Sequence, residues 1–275
     1  MAYPVVSAPY GLKPVSLIGG QVFAGSTREY PIQYGYAANI FYGDAVTLAR
    51  GSAVRAVVNT TGAVVGVFLG CSYTNPTTKQ KMYSQYWPTG TLAGDAVAIV
   101  SDDPDAVFKA VVCSGTTVVG ATSKAMIGQN MAMIDTAAGN IAAGNSTNAV
   151  LAVVAAGAPA TTAALPLRVL DVVPETAVTV SVPSTSTTTT NITIPASPVA
   201  ILAGSDVAFV AANGQLVETG SFVTTAVAVG GTTIALNLAS QVTIPAAAVI
   251  VITQYTEVLV KLNFGISSYY TAAAA

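Results

Sequence analysis

From about residue 15 onward, hydrophobic positions recur in short runs, many alternating with polar ones, and clusters of Gly, Asn, Pro and Asp separate the runs. Alternation with period two puts successive side chains on opposite faces of an extended chain, the mark of strands with a buried face. The pattern predicts strands at 15–18, 22–24, 29–32, 45–48, 54–57, 64–71, 81–86, 96–100 and 107–112. It predicts more at 207–210, 216–218, 222–229, 232–236, 249–253 and 255–264. Only 122–128 reads as helical, one or two turns ended by Gly128. Alanine is abundant, which favours helix, but it is interleaved with Val, Thr and Gly and lacks 3.6-residue spacing. The expected fold is all-β.

One local recipe recurs. Gly43-Asp44-Ala45-Val46 is echoed by Gly94-Asp95-Ala96-Val97, and more loosely around Gly204 and Gly128. Glycine supplies a permissive backbone, Asp or Asn closes the turn, and alternate apolar residues then enter a strand. The irregular spacing of the copies is not that of a solenoid. Gly230-Gly231 between two alternating runs predicts a hairpin. Residues 1–15 carry Pro4, Pro9 and Pro14 together with Tyr3 and Tyr10, and read as an extended N-terminal arm lying either on a neighbour or on its own domain.

Charge then divides the chain. Lys and Arg are absent between Arg168 and Lys261, and 181–193 is mostly Thr and Ser. At 255–263 Tyr and Lys return, in a strand composed like the first half. The expected organisation is the arm 1–15, a β-body of 16–176 plus 254–275, and an inserted Thr/Val-rich β-domain at 177–253. Two consecutive domains with a mixed boundary are the alternative.

Composition narrows function. Over 275 residues, 52% are hydrophobic and 8% charged, with net charge −2, no His, two Cys and one Trp. Ordinary soluble domains carry about 25% charged residues. Disorder, which needs low hydrophobicity, is excluded. So is a basic nucleic-acid surface, any His-dependent triad or metal site, and a disulfide scaffold. A folded monomer of this size exposes roughly 11,000 Å², far more than 22 charged side chains can cover. The surface is therefore either rich in small polar residues or covered by another protein. The longest apolar runs, 63–71, 149–160 and 246–253, are too short for a membrane-spanning helix. An outer-membrane barrel is not expected either, since no Tyr falls between Tyr86 and Tyr255 to form aromatic girdles. The N-terminus lacks the basic and apolar regions of a signal peptide, so Asn59, Asn145 and Asn191 read as chance glycosylation matches.

Little chemistry offers itself. Asp102-Asp103-Pro104-Asp105 reads as a turn between strands rather than a Ca²⁺ loop. Asp44 and Asp95 read as turn closers. Cys71 and Cys113 read as buried free thiols, with no His to activate them, the alternative being a disulfide if their strands bring the Cα atoms within about 7 Å. No phosphate-binding glycine loop occurs. No catalytic residue, metal or cofactor is expected, and the chain is not expected to be an enzyme. Tyr83, Tyr86 and Trp87 beside Lys79 and Lys81 are either core and strand edge, a protein-interface anchor, or a platform for a sugar or base. The interface candidates are Tyr3, Tyr10, Lys13, Arg28, Tyr83, Tyr86, Trp87, Tyr269 and Tyr270.

The stretch from Tyr10-Gly11-Leu12-Lys13-Pro14 through Gly25-Ser26-Thr27-Arg28 resembles the head decoration, or cement, proteins of tailed bacteriophages, as in phages of aquatic bacteria. The likeness continues in Asn39 to Val46, Val65 to Cys71, Gln85-Tyr86-Trp87-Pro88, Asp102 to Asp105, Leu165 to Asp171 and Tyr255 to Asn263. It covers roughly 1–175 and 254–265, and 177–253 departs from it. The resemblance implies a β-barrel or β-tulip body; the insert, which lies outside the resemblance, is expected from its own strand pattern to be a small β-sandwich or barrel. It implies a non-enzymatic virion protein, made in the host cytoplasm, that sits on the outer capsid surface and cements neighbouring subunits. Its partners are then the phage major capsid protein and other copies of itself, as a homo-oligomer such as a trimer or through contacts between neighbours, with neither nucleic acid nor membrane. The alternative is a tail or head-fibre protein that binds host-surface glycans.

Overall fold

The computed structural model describes residues 6, 8–56, 64–113, 119–134, 139–151, 165–184, 190–237, 244 and 247–263. The fold is all-β, with sheets that are almost wholly antiparallel. The first half contributes β1 (Lys13–Leu17), β2 (Arg28–Pro31), β3 (Ala45–Ala49), β4 (Ser52–Arg55), β5 (Gly66–Thr74) and β6 (Lys81–Ser84). It continues with β7 (Val97–Ser101), β8 (Ala106–Cys113), β9 (Asn130–Ile134), β10 (Ala149–Leu151) and β11 (Leu167–Val172). Then come β12 (Val178–Pro183), β13 (Asn191–Thr193), β14 (Asp206–Val210), β15 (Leu216–Val223), β16 (Thr233–Asn237) and β17 (Val249–Gln254), and last β18 (Glu257–Leu262).

The first sheet runs β1-β8-β10-β9-β11-β18, and β18 pairs back onto β8. Its hydrogen bonding thus returns to its own strand, and the sheet curls. Alternation fills the inside: Phe108, Ala110 and Val112 from β8, Met131 and Met133 from β9, Val150 from β10, Leu167 and Val169 from β11, and Val258, Val260 and Leu262 from β18 share one core. A second sheet runs β2-β7-β5-β3-β4, with β6 on β5. β5 and the start of β3 are buried on both faces. Ala45 and Val67 point into the curled sheet's core, while Val46 and Phe68, one residue on, point into the core around Trp87. This double burial is why β5 reads as a continuous apolar run rather than an alternating one.

The third sheet, β12-β17-β14-β15-β16-β13, pairs only strands that lie between Val178 and Gln254. Val180, Val182, Phe209, Ile234, Ile250 and Ile252 belong to a separate core. The chain enters and leaves this region side by side: Val178 pairs with Gln254, and the Val173 N–H donates to the Glu257 carbonyl at 3.0 Å.

Several expectations need correction. Residues 22–24 form no strand; Val22 makes a single bridge to Ser16. The helical turns at 122–128 shrink to a 3-10 turn, Lys124–Met126, because the Gly128 N–H is taken by the Val169 carbonyl of β11. Gly230-Gly231 does not join two adjacent strands directly. Val223 pairs with Leu236, whereas Val227 bridges to Ile201, so the connection is long. The arm does not end at residue 15. β1 begins at Lys13, and Leu12 is already in the first core, where the Gly43 carbonyl accepts its N–H at 3.0 Å.

Candidate interaction surface

Tyr3, Tyr269 and Tyr270 lie outside the described residues. The other candidates do not form one patch. Tyr10 is half-buried against its own chain, its hydroxyl donating to Glu257 and its ring 4.1 Å from Lys13 Nζ. Burial, and then the Glu257 carboxylate, hold the Tyr10 hydroxyl far above the usual phenol range. Lys13 is half-buried in β1. Arg28 on β2 is exposed, with its Nε 3.1 Å from buried Asp102, which also accepts the Tyr30 hydroxyl at 2.7 Å.

The aromatic trio separates by depth. Trp87 is fully buried, edge-on to Tyr73 with centroids 5.3 Å apart, so it is a core residue and not a surface anchor. Tyr86 is half-buried and stacks on Phe41 at 5.6 Å. Only Tyr83 stands out, 78% exposed on β6. Tyr83 lies on β6 opposite Ser72, whereas Trp87 lies beyond the end of β6 and bridges to Ile40 in the core it shares with Tyr73.

Beside Tyr83 lies an open cleft of about 460 Å³, lined by Tyr42, Leu69, Gly70, Cys71, Ser84, Gln85 and Ile99. It forms where β3 and β6 share one edge of β5 in tandem and a register shift at Phe68/Gly70 interrupts the ladder. No charged side chain lines it.

A second exposed feature was not picked out from the sequence. Leu17 donates its N–H to the Gln21 carbonyl at 2.8 Å, so β1 turns back on itself through Gly19 and Gly20, both at positive φ. Val15, Ile18 and Val22 are exposed on this hairpin, Val22 by 78%. A signal existed: residues 14–27 contain no charged side chain.

The acidic residues serve structure. Asp44 is buried, accepts the Phe41 N–H at 2.8 Å, the Ser146 hydroxyl at 2.5 Å and the Asn148 amide at 3.1 Å, and lies 3.4 Å from Arg55 Nε. It closes its turn as expected, but it also ties three distant segments together. Asp95 reaches across to Thr74 and Lys81 instead. Asp103 accepts the Asp105 N–H at 2.9 Å in the turn between β7 and β8. Cys71 and Cys113 are free and buried, and burial pushes their thiols up to about 12 and about 11. Among the described residues no group of three His, Cys, Asp or Glu could hold a metal ion, and no helix is long and apolar enough to cross a membrane.

Fold and surface together define an all-β protein that leaves several large aliphatic and aromatic side chains exposed, among them Val22 and Tyr83. Comparison with family models, with curated proteins and with solved structures finds no match to this chain.

Proposed function

We propose that this chain is a structural virion protein of a tailed phage. It seats on the outer capsid surface and cements neighbouring major-capsid subunits without performing catalysis. The observation that carries the reading is the hairpin of 13–22, which presents Val15, Ile18 and Val22 to solvent within an uncharged stretch. Three aliphatic side chains left exposed on one short hairpin are a candidate contact for another protein. Repetition by capsid symmetry lets modest contacts suffice, whether between copies in a homo-oligomer or across subunit seams. The closed pairing circuit of the first sheet supports a small barrel as the body, and the separate core of 178–254 supports an inserted domain. Mass analysis of purified mature heads tests the role. Many copies per particle are expected; absence, or a handful of copies, rejects it.

The uncharged cleft at Tyr83 favours a second reading, a tail or head-fibre component that binds neutral host glycans, since an exposed aromatic ring stacks on a sugar face. A glycan array probed with the wild-type chain and with Tyr83→Ala separates the two. Binding lost in the variant supports the second reading, and no binding removes it.

A further inference from the structure

A strand at the edge of a sheet leaves one row of N–H and C=O groups unpaired, and natural edges are guarded by charge, proline, bulges or shortness against pairing with another chain. Among the described residues, the sheet edges follow this rule with one exception. β1 carries Lys13 and Pro14, β2 carries Arg28, Glu29 and Pro31, β4 carries Arg55, and β6 carries Lys81. β13 is three residues long. β12 runs Val-Thr-Val-Ser-Val-Pro, with no charge and no bulge in its pairing with β17. Among the described residues β17 is its only neighbour.

The register fixes which groups β12 leaves free. The Ser184 N–H donates to the Ala248 carbonyl at 2.9 Å, and Pro183 stands opposite Val249. Hydrogen bonding alternates along an antiparallel pair, so Val178, Val180 and Val182 bond to β17, whereas Thr179, Ser181 and Pro183 turn their backbone groups to the open side. All three of these are exposed. Pro183 has no N–H to offer there, the placement in which an edge strand tolerates proline. At the other end, the Ala177 N–H is taken by the Pro174 carbonyl at 3.0 Å. The free donors of this edge are therefore the N–H groups of Thr179 and Ser181, one on either side of Val180.

That arrangement is complementary to itself. Two copies laid antiparallel about a two-fold axis at Val180 set Thr179 of each opposite Ser181 of the other, each pair exchanging both of its backbone hydrogen bonds. The side chains agree. Val180 and Val182 belong to the core of the third sheet and Val178 packs on it, so valines meet valines on the inner face. Thr179 and Ser181 meet on the outer face, where paired hydroxyls favour cross-strand contact. No charge is set against its own copy: the nearest acid along the chain, Glu175, lies on the 3-10 turn before the strand, and Lys and Arg are absent from there to Lys261. We infer that β12 is a self-pairing edge, through which two copies of this chain join their third sheets as antiparallel β12 strands centred on Val180. A two-fold contact is closed and stops at two. It is short beside specific interfaces of about 1,200–2,000 Å², so the dimer forms and separates with concentration. The contact does not rest on the capsid role.

Sedimentation velocity of the free full-length chain over a concentration series tests it. A monomer–dimer equilibrium is expected. Ser181→Pro removes an outward N–H and none of the bonds to β17, and is expected to weaken the dimer at least tenfold. A chain that stays monomeric throughout overturns the inference, including the case in which the edge takes a strand from a different protein. So does a dimer that Ser181→Pro leaves unchanged, because it forms elsewhere. Should Ser181→Pro fold poorly, two changes at exposed side chains read the register instead. Ser181→Lys and Thr179→Glu are each expected to weaken the dimer about threefold. A mixture of the two variants is expected to associate more tightly than either alone, since the register sets the introduced ammonium of one opposite the introduced carboxylate of the other. A mixture no tighter than its components overturns the pairing about Val180. Because no capsid is used, a monomeric result leaves the capsid role standing, and absence from mature heads leaves the β12 contact standing.

Discussion

Asp44 shows how one carboxylate can hold a body together. It gathers Phe41, Arg55, Ser146 and Asn148, so its loss leaves a half-buried guanidinium, a hydroxyl and two N–H donors short of an acceptor. Breaking a buried charged network from one side costs about 3–5 kcal/mol. Asp44→Ala is expected to lower unfolding stability by that amount in urea titrations, and a loss under about 1 kcal/mol would mean the network is idle. Asp95 behaves differently because it sits at the surface. The Thr74 N–H, then the Thr74 hydroxyl, then Lys81 hold its carboxyl well below the usual carboxylate range. A folded pKa below the unfolded one gives stability that is complete above about pH 4 and fades as pH falls toward the folded value. Asp95→Asn is therefore expected to flatten the acid limb of the stability–pH curve below about pH 4, read from urea midpoints; an unaltered limb contradicts this.

Between elements, the contact that matters most is the approach of the loop before β14 to the segment before the 3-10 turn. Gly204, at φ +86, stands so close that a Cβ would lie 2.2 Å from the Ala121 carbonyl oxygen. Nearby, burial raises the Asp206 carboxyl, and Lys124 partly offsets the rise. The sheet of β12–β17 therefore touches the body through Gly204 beside its exit crossing, where the Thr122 N–H donates to the Tyr255 carbonyl at 2.9 Å. Gly204→Ala combines a left-handed backbone with a backbone clash, and is expected to destabilise by more than about 2 kcal/mol. Hydrogen exchange should speed up at 119–124 and 202–206 first; an even rise along the whole chain would place the strain elsewhere.

For the molecule as a whole, the side-by-side entry and exit at Val173 and Glu257 make the third sheet removable in principle. A chain that joins Thr176 to Tyr255 through a short Gly-Ser turn is expected to keep the β8–β18 and β11–β18 ladders. Slow amide exchange at 107–112 and 258–262 would show it. Fast exchange there would mean that the body needs the third sheet to fold. The same deletion tests where any capsid affinity resides, because the exposed hairpin of 13–22 is retained.

The all-β character was legible along the chain because period-two burial leaves its trace locally. The loss of Lys and Arg between Arg168 and Lys261 likewise spans β12–β17, the strands that pair only among themselves. Depth was not legible. Trp87 and Tyr83 are four residues apart and both aromatic, yet one is core and the other surface, since Tyr83 stands on β6 whereas Trp87, beyond the strand's end, pairs with Ile40 inside the second core. Nor could the chain announce that Tyr10 would fold back onto Glu257, 247 positions away. Local alternation is a property of neighbouring residues, whereas burial under another segment depends on where that segment comes to lie, and only the assembled sheets specify that.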